Sequence, residues 1–131
     1  MNATEIKRMN TTALAWLGDA VYEVAVRKFI MEKGPRTSGG LHHIAIKFVC
    51  AEGQAMVIKK LMKELTEEEQ ALVRRARNRR ITSKPNHADP VTYKLSTAFE
   101  AFVGYLYLSE NQERLDWFME QAIAIIDKNE E

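Results

Sequence analysis

The chain has 131 residues, 46% of them hydrophobic, and its 19 Lys and Arg against 18 Asp and Glu leave a formal charge of +1. This length and apolar content suit a single domain spanning 1–131, and so even a charge balance points by itself to no particular partner. Cys50 is the only cysteine, which excludes an internal disulfide; beside Phe48, Val49 and Ala51 it reads as a buried structural thiol in a reducing compartment. No signal-peptide-like run opens the chain and nowhere do about 18 apolar residues run together, so a cytoplasmic protein with no membrane partner is expected.

Helical spacing dominates, period-two alternation is nearly absent, and the three prolines lie outside the strongest periodic segments, which reads as all-α. Thr11 or Thr12 caps a first long helix running to about Met31, stopped by Lys33-Gly34-Pro35. A second helical segment runs from about Leu41 to Leu65, with a break near Ala51–Gly53. Thr66-Glu67-Glu68-Glu69 is a capping box, in which the Thr hydroxyl and the third-position Glu satisfy free amides reciprocally; the helix it opens carries arginines and frays near Arg79 or Arg80. A polar loop then covers about 80–90, with Ser83, Pro85, Asn86, Asp89 and Pro90. Helices from about Val91 to Leu108 and from about Gln112 to Asp127 complete the chain.

Two of these helices carry a lone carboxylate in apolar surroundings: Asp19 within Leu14–Val21, and Glu100 within Ser96–Gly104. An ionised carboxylate buried without a partner is strongly unfavourable, so both positions call for a base or a cation. The Asp19 helix is apolar nearly all round, as a central helix is, and Ala15, Tyr22 and Val26 lie near Asp19 in angle; Asp19 with Glu23 is then a polar stripe let into it, or equally a surface stripe or a structural ion pair, with Glu23 placed to pair with Arg27. Around Glu100, Leu95, Ala98, Phe99, Phe102, Val103 and Leu106 leave little polar surface. Small residues flank both acids, Ala15 and Gly18 on one helix and Thr97, Ala101 and Gly104 on the other, so the two helices can meet closely and bring the carboxylates together. Like charges so near favour a shared proton or a divalent cation, and an all-oxygen donor set suits Mg or Mn rather than Zn. His42, His43 and His87 form no zinc pattern, and Trp16, Phe99, Phe102, Tyr105 and Tyr107 are spaced as core or subunit-interface residues.

Trp16-Leu17-Gly18-Asp19-Ala20 resembles the Leu-Gly-Asp-Ala signature of the ribonuclease III endonuclease domain, and Thr97-Ala98-Phe99-Glu100-Ala101-Phe102-Val103-Gly104 resembles its second acidic motif. Arg77-Asn78-Arg79 and Tyr93–Ala101 are similar to Mini-ribonuclease III in particular, and the likeness covers nearly the whole chain with no double-stranded-RNA-binding domain after it. The resemblance implies an all-helical homodimer that hydrolyses double-stranded RNA with Mg to leave 5′-phosphate and 3′-hydroxyl ends, and that in bacteria matures the ends of 23S ribosomal RNA precursor. It makes Asp19 the catalytic aspartate and Glu100 a metal ligand. Full-length ribonuclease III carries further acids four residues before the aspartate and three before the glutamate; here those positions are Ala15 and Thr97. Fewer charged ligands leave more of a metal's shell to water and phosphate.

The resemblance is to enzymes without a separate RNA-binding domain, which makes the six basic residues between Arg74 and Lys84 the expected donors to phosphate; by charge alone the run reads equally as a solvated helix face. Arg74, Arg75, Arg77, Asn78, Arg79, Arg80 and Lys84 are the RNA-binding candidates, with Ser83 and Asn86 as further 2′-hydroxyl partners and ribosomal proteins as further candidate partners. Two other readings stand beside the nuclease. An inactive ribonuclease III-like module would bind duplex RNA without Mg-dependent cleavage, and a purely structural helical dimer would bind no RNA at all.

Overall fold

A computed structural model describes residues 1–33, 38–79 and 89–128. Seven α-helices follow one another: α1 (Ala3–Arg8), α2 (Thr11–Glu32), α3 (Ser38–Val49), α4 (Ala51–Leu61), α5 (Glu67–Arg77), α6 (Pro90–Leu108) and α7 (Gln112–Lys128), with a 3-10 turn at Met62–Glu64, and the described residues contain no strand. The all-α expectation therefore holds.

Local chemistry accounts for the helix ends. Asn10, not Thr11 or Thr12, caps α2, its side chain accepting from Thr12 N at 2.7 Å. The long segment breaks at Cys50, whose extended backbone opens α4. The Thr66–Glu69 capping box forms as expected, with Thr66 N donating to Glu69 Oε1 at 2.8 Å and Glu69 N to Thr66 Oγ1 at 3.1 Å. Asp89 caps α6 and Pro90 occupies its first turn, where the missing N–H costs nothing. Helix α1 is not among the helices that periodicity predicts, although Asn2-Ala3-Thr4-Glu5 carries its signal: the Asn2 side chain accepts from Glu5 N at 2.9 Å and donates to Glu5 Oε1 at 2.7 Å.

The core is built on α6, which packs along α2, α4 and α5. Tyr22 and Phe99 meet edge to face at 4.7 Å, Phe102 and Phe118 at 4.8 Å, and all four are fully buried. The Tyr22 hydroxyl donates to Phe48 O at 2.9 Å, tying α3 to the central pair and satisfying a polar atom that burial would otherwise strand. On the far side Arg114 donates to both carboxylate oxygens of the buried Glu69, at 3.0 and 2.8 Å, and to Glu64 O at 3.0 Å. Its guanidinium also lies 4.1 Å over the Trp117 ring.

The two central helices touch backbone to backbone. A Cβ added to Gly18 would stand 1.8 Å from the Glu100 carbonyl oxygen, and one added to Gly104 2.1 Å from the Leu14 carbonyl oxygen. The small residues beside the acids thus serve the close approach expected of them.

Two expectations need correction. Cys50 is half-buried rather than buried, its Sγ donating to Lys47 O at 3.5 Å, because it sits at the junction of two helices instead of inside one. Helix α2 is not covered all round: Leu14, Tyr22, Val26 and Ile30 are buried, but Trp16, Val24 and Met31 are 81%, 68% and 67% exposed.

Candidate active site

Asp19 follows Gly18 on α2, and Glu100 lies on α6 at the residue whose carbonyl Gly18 touches, so the glycine contact sets the two acids side by side. The Asp19 carboxyl is near enough to act on the proton affinity of Glu100. The pair is asymmetric. Asp19 is exposed, which decides for the surface stripe over the acid let into a covered helix, because it borders the uncovered side of α2. Glu100 is half-buried. Burial first, and then the hydrogen bond and charge of Asp19, push the Glu100 carboxyl up to about 8, while Gln54 works in the other direction. The direction favours the protonated form of Glu100 and makes a second negative charge at this place unfavourable unless a cation offsets it.

The donor set fits a hard divalent cation. Both donors are oxygens, no Lys, Arg or His is among the groups that set Glu100's proton affinity, and a cation would offset the repulsion that the proton now relieves. Among the described residues no three His, Cys, Asp or Glu side chains gather, so protein donors would fill only part of a metal's shell. Ala15 and Thr97 explain the shortfall. Ala15 is buried and brings no donor, and Thr97 Oγ1 donates to Tyr93 O at 3.1 Å, within its own helix. Glu23 is engaged elsewhere, by Arg27 at 2.7 Å, as its spacing suggested.

The arginines divide into two groups. Arg74 and Arg77 keep their contacts on α5 itself, to Gln70 Oε1 at 3.3 Å and Asn78 Oδ1 at 3.1 Å, and Asn78 ends the helix. Arg75 donates to Lys7 O at 2.6 Å and Met9 O at 3.3 Å, and Arg79 donates to the Asn10 side chain. These two hold the α1–α2 junction to the end of α5. The proposed RNA contacts at Arg80 and Lys84, like Ser83, Asn86, His87 and most of the polar loop, lie outside the described residues. His42 and His43 are exposed on α3.

Sequence reasoning missed Gln54. It is fully buried on α4, and its Oε1 accepts from Ser96 Oγ at 2.6 Å. Its signal was the one used for the acids: a lone polar residue facing an apolar run, Ala55-Met56-Val57-Ile58.

The family model for the Ribonuclease III domain matches residues 12–111, which include both acids and the helices that carry them. An all-helical endoribonuclease of the ribonuclease III class is thus what fold and site define. Among similar proteins, a Mini-ribonuclease 3 of Symbiobacterium thermophilum is 44% identical over 89% of this chain and 90% of its own length. A Mini-ribonuclease 3 of Streptococcus pneumoniae is 39% identical over 94% and 98%. A crystal structure of a protein from Fusobacterium nucleatum superposes with a TM-score of 0.83 at 30% identity, covering 92% of this chain and 96% of that one. The chain belongs to the Mini-ribonuclease 3 family.

Proposed function

We propose that this endoribonuclease hydrolyses double-stranded RNA as a cytoplasmic homodimer, with residues 1–131 acting as one catalytic domain, and that its substrate is 23S ribosomal RNA precursor, whose 5′ and 3′ ends it matures. The observation that carries the reading is the backbone contact of Gly18 with Glu100, which sets the exposed Asp19 beside the half-buried Glu100. Asp19 and Glu100 would hold Mg, or Mn in its place, which supplies the Lewis acidity and the oriented water that phosphodiester hydrolysis requires. Asp19, open to solvent, faces the substrate side; Glu100, backed by the core, anchors from below. With Ala15 and Thr97 offering no charge, the rest of the coordination falls to water and RNA phosphate.

Homodimerisation is supported by the stripe Ala13, Trp16, Ala20, Val24, Arg27 and Met31, all exposed and spaced three or four residues apart along one side of α2. A second copy packed across a two-fold axis would cover it and put two acid pairs at the rim of one interface. Arg74, Arg77, Asn78 and Arg79, with Arg80 and Lys84, are proposed to meet phosphates and 2′-hydroxyls. Arg79 at Asn10 is nine residues from Asp19, about 13 Å along a helix, so a duplex gripped there passes the acids. That α-helical face needs no base-specific contact, because duplex RNA is held chiefly by shape and backbone. Among the described residues no helix is long and apolar enough to cross a membrane.

The test is cleavage of labelled duplex RNA and of ribosomal RNA precursor with and without Mg, with product ends mapped. Wild type should leave 5′-phosphates and 3′-hydroxyls only with the metal; Asp19→Asn, folded and dimeric, should lose cleavage. Wild-type rates for that variant would exclude the acid pair as the reaction centre.

A further inference from the structure

Gln54 is the one described residue whose buried side chain leaves a polar atom without a partner: its Nε2 makes no hydrogen bond among the described residues, although the side chain is 0% exposed. A donor left unpaired in a core is costly, so its position asks for an acceptor. The geometry names one. Helix α4 packs along α6, and Ser96 Oγ, on α6, donates to Gln54 Oε1 at 2.6 Å, fixing which way the planar carboxamide turns. Glu100 is four residues after Ser96, one turn along the same face of α6, so it is the next polar side chain in line with the carboxamide that Ser96 holds by its oxygen, and Gln54 is among the groups that lower Glu100's proton affinity.

We infer that Gln54 is a positioning residue for Glu100: its carboxamide, locked from behind by Ser96, offers an N–H to one Glu100 oxygen and so turns the other toward Asp19. The inference rests on the acid pair being the metal site proposed above. Two of the acids that could have shared the work of orienting a cation are replaced by Ala15 and Thr97, and a neutral amide reaching Glu100 from a third helix restrains the ligand without adding charge. A partner of this kind acts through the ligand it holds and touches neither metal nor RNA, yet its loss commonly weakens metal affinity about ten-fold or more. Methionine at this position keeps the shape and removes both polar atoms, including the unpaired Nε2 donor; the half-buried Ser96 hydroxyl loses its acceptor in exchange. Ser96→Ala keeps the amide and frees its orientation.

The decisive measurement is Mn affinity, read from the loss of the free-ion electron paramagnetic resonance signal, on the full-length dimer beside metal-free thermal unfolding. Gln54→Met should keep the metal-free melting temperature and oligomeric state while raising the Mn dissociation constant, and the Mg concentration for half-maximal cleavage, about ten-fold. Ser96→Ala should move both in the same direction by a smaller factor. Wild-type Mn affinity in Gln54→Met overturns the inference; if that variant does not fold, wild-type affinity in Ser96→Ala overturns it instead. Asp19→Asn separates the two levels of argument. Should it bind Mn as wild type does, or should wild type bind none, the acid-pair reading falls and Gln54's role with it; should only the Gln54 and Ser96 variants match wild type, the acid pair stands without this support.

Discussion

Gly18 and Glu100 are in backbone contact: a Cβ on the glycine would stand 1.8 Å from the glutamate's carbonyl oxygen and 2.8 Å from Gly104 N. Since Asp19 is the next residue, the contact that packs the two central helices is also the one that registers the two acids. Backbone on both sides leaves nothing flexible to yield, so Gly18→Ala and Gly104→Ala should each cost more than about 3 kcal/mol by forcing the helices apart. Gly39, on α3, has nothing within 4 Å of its would-be Cβ, and Gly39→Ala should gain about 0.5 kcal/mol from helix propensity. Chemical denaturation of the three variants checks the ordering.

Metal-free stability should depend on pH in opposite senses at two acids. Glu100 is raised from an ordinary 4.5 to about 8, so the folded state holds a proton that the unfolded chain has lost; its contribution is complete below about pH 4.5 and disappears as pH rises through 8. Mg should displace that proton. Calorimetry at pH 7 in buffers of differing ionisation enthalpy should find close to one proton released per site, and cleavage at limiting Mg should climb with pH up to about 8.

Glu69 runs the other way. Burial pushes its carboxyl up, but the two hydrogen bonds from Arg114 and the capping-box amide of Thr66 outweigh that and hold it below its usual 4.5. Its contribution is therefore complete above pH 4.5 and is lost as pH falls through the lower folded value. Arg114→Ala, which strands the buried carboxylate, should cost about 2–3 kcal/mol at pH 7 and much less near pH 3, measurable by urea unfolding at the two pH values.

Trp16 and Val24, 81% and 68% exposed on α2, should be shielded by the second copy. Val24→Asp places a charge on that stripe and should yield monomers in sedimentation equilibrium with helicity unchanged. Cleavage should fall with the dimer fraction.

The arginines should separate by salt dependence. Arg74→Ala removes an exposed charge whose one described contact is Gln70 on its own helix, so duplex binding should weaken without change of melting temperature, and the slope of log K against log salt should fall by about 1. Arg75→Ala also deletes hydrogen bonds to Lys7 O and Met9 O, and should lower the melting temperature as well. Filter binding across a salt series, with thermal scans alongside, distinguishes them.

The sequence by itself determined what depends on near neighbours along the chain. Periodicity marked the helices, Thr66 and Glu69 announced their capping box, Glu23 its pairing with Arg27, and the small residues beside Asp19 and Glu100 a close crossing. All of these follow from spacing on a single helix or from side-chain size. The tertiary structure alone decided which faces are covered. Asp19 sits among apolar residues in sequence yet is exposed, because one side of α2 has no helix of the same chain against it. Arg75 and Arg79 read in sequence only as members of a basic run that could meet RNA, and the packing ties them to the α1–α2 junction, 66 to 69 residues away. Gln54 meets Ser96 across 42 residues, a separation over which no local pattern carries information. A helical period orders the side chains around one axis; only the packing of other helices against that axis gives each side chain its solvent, its partner and its charge.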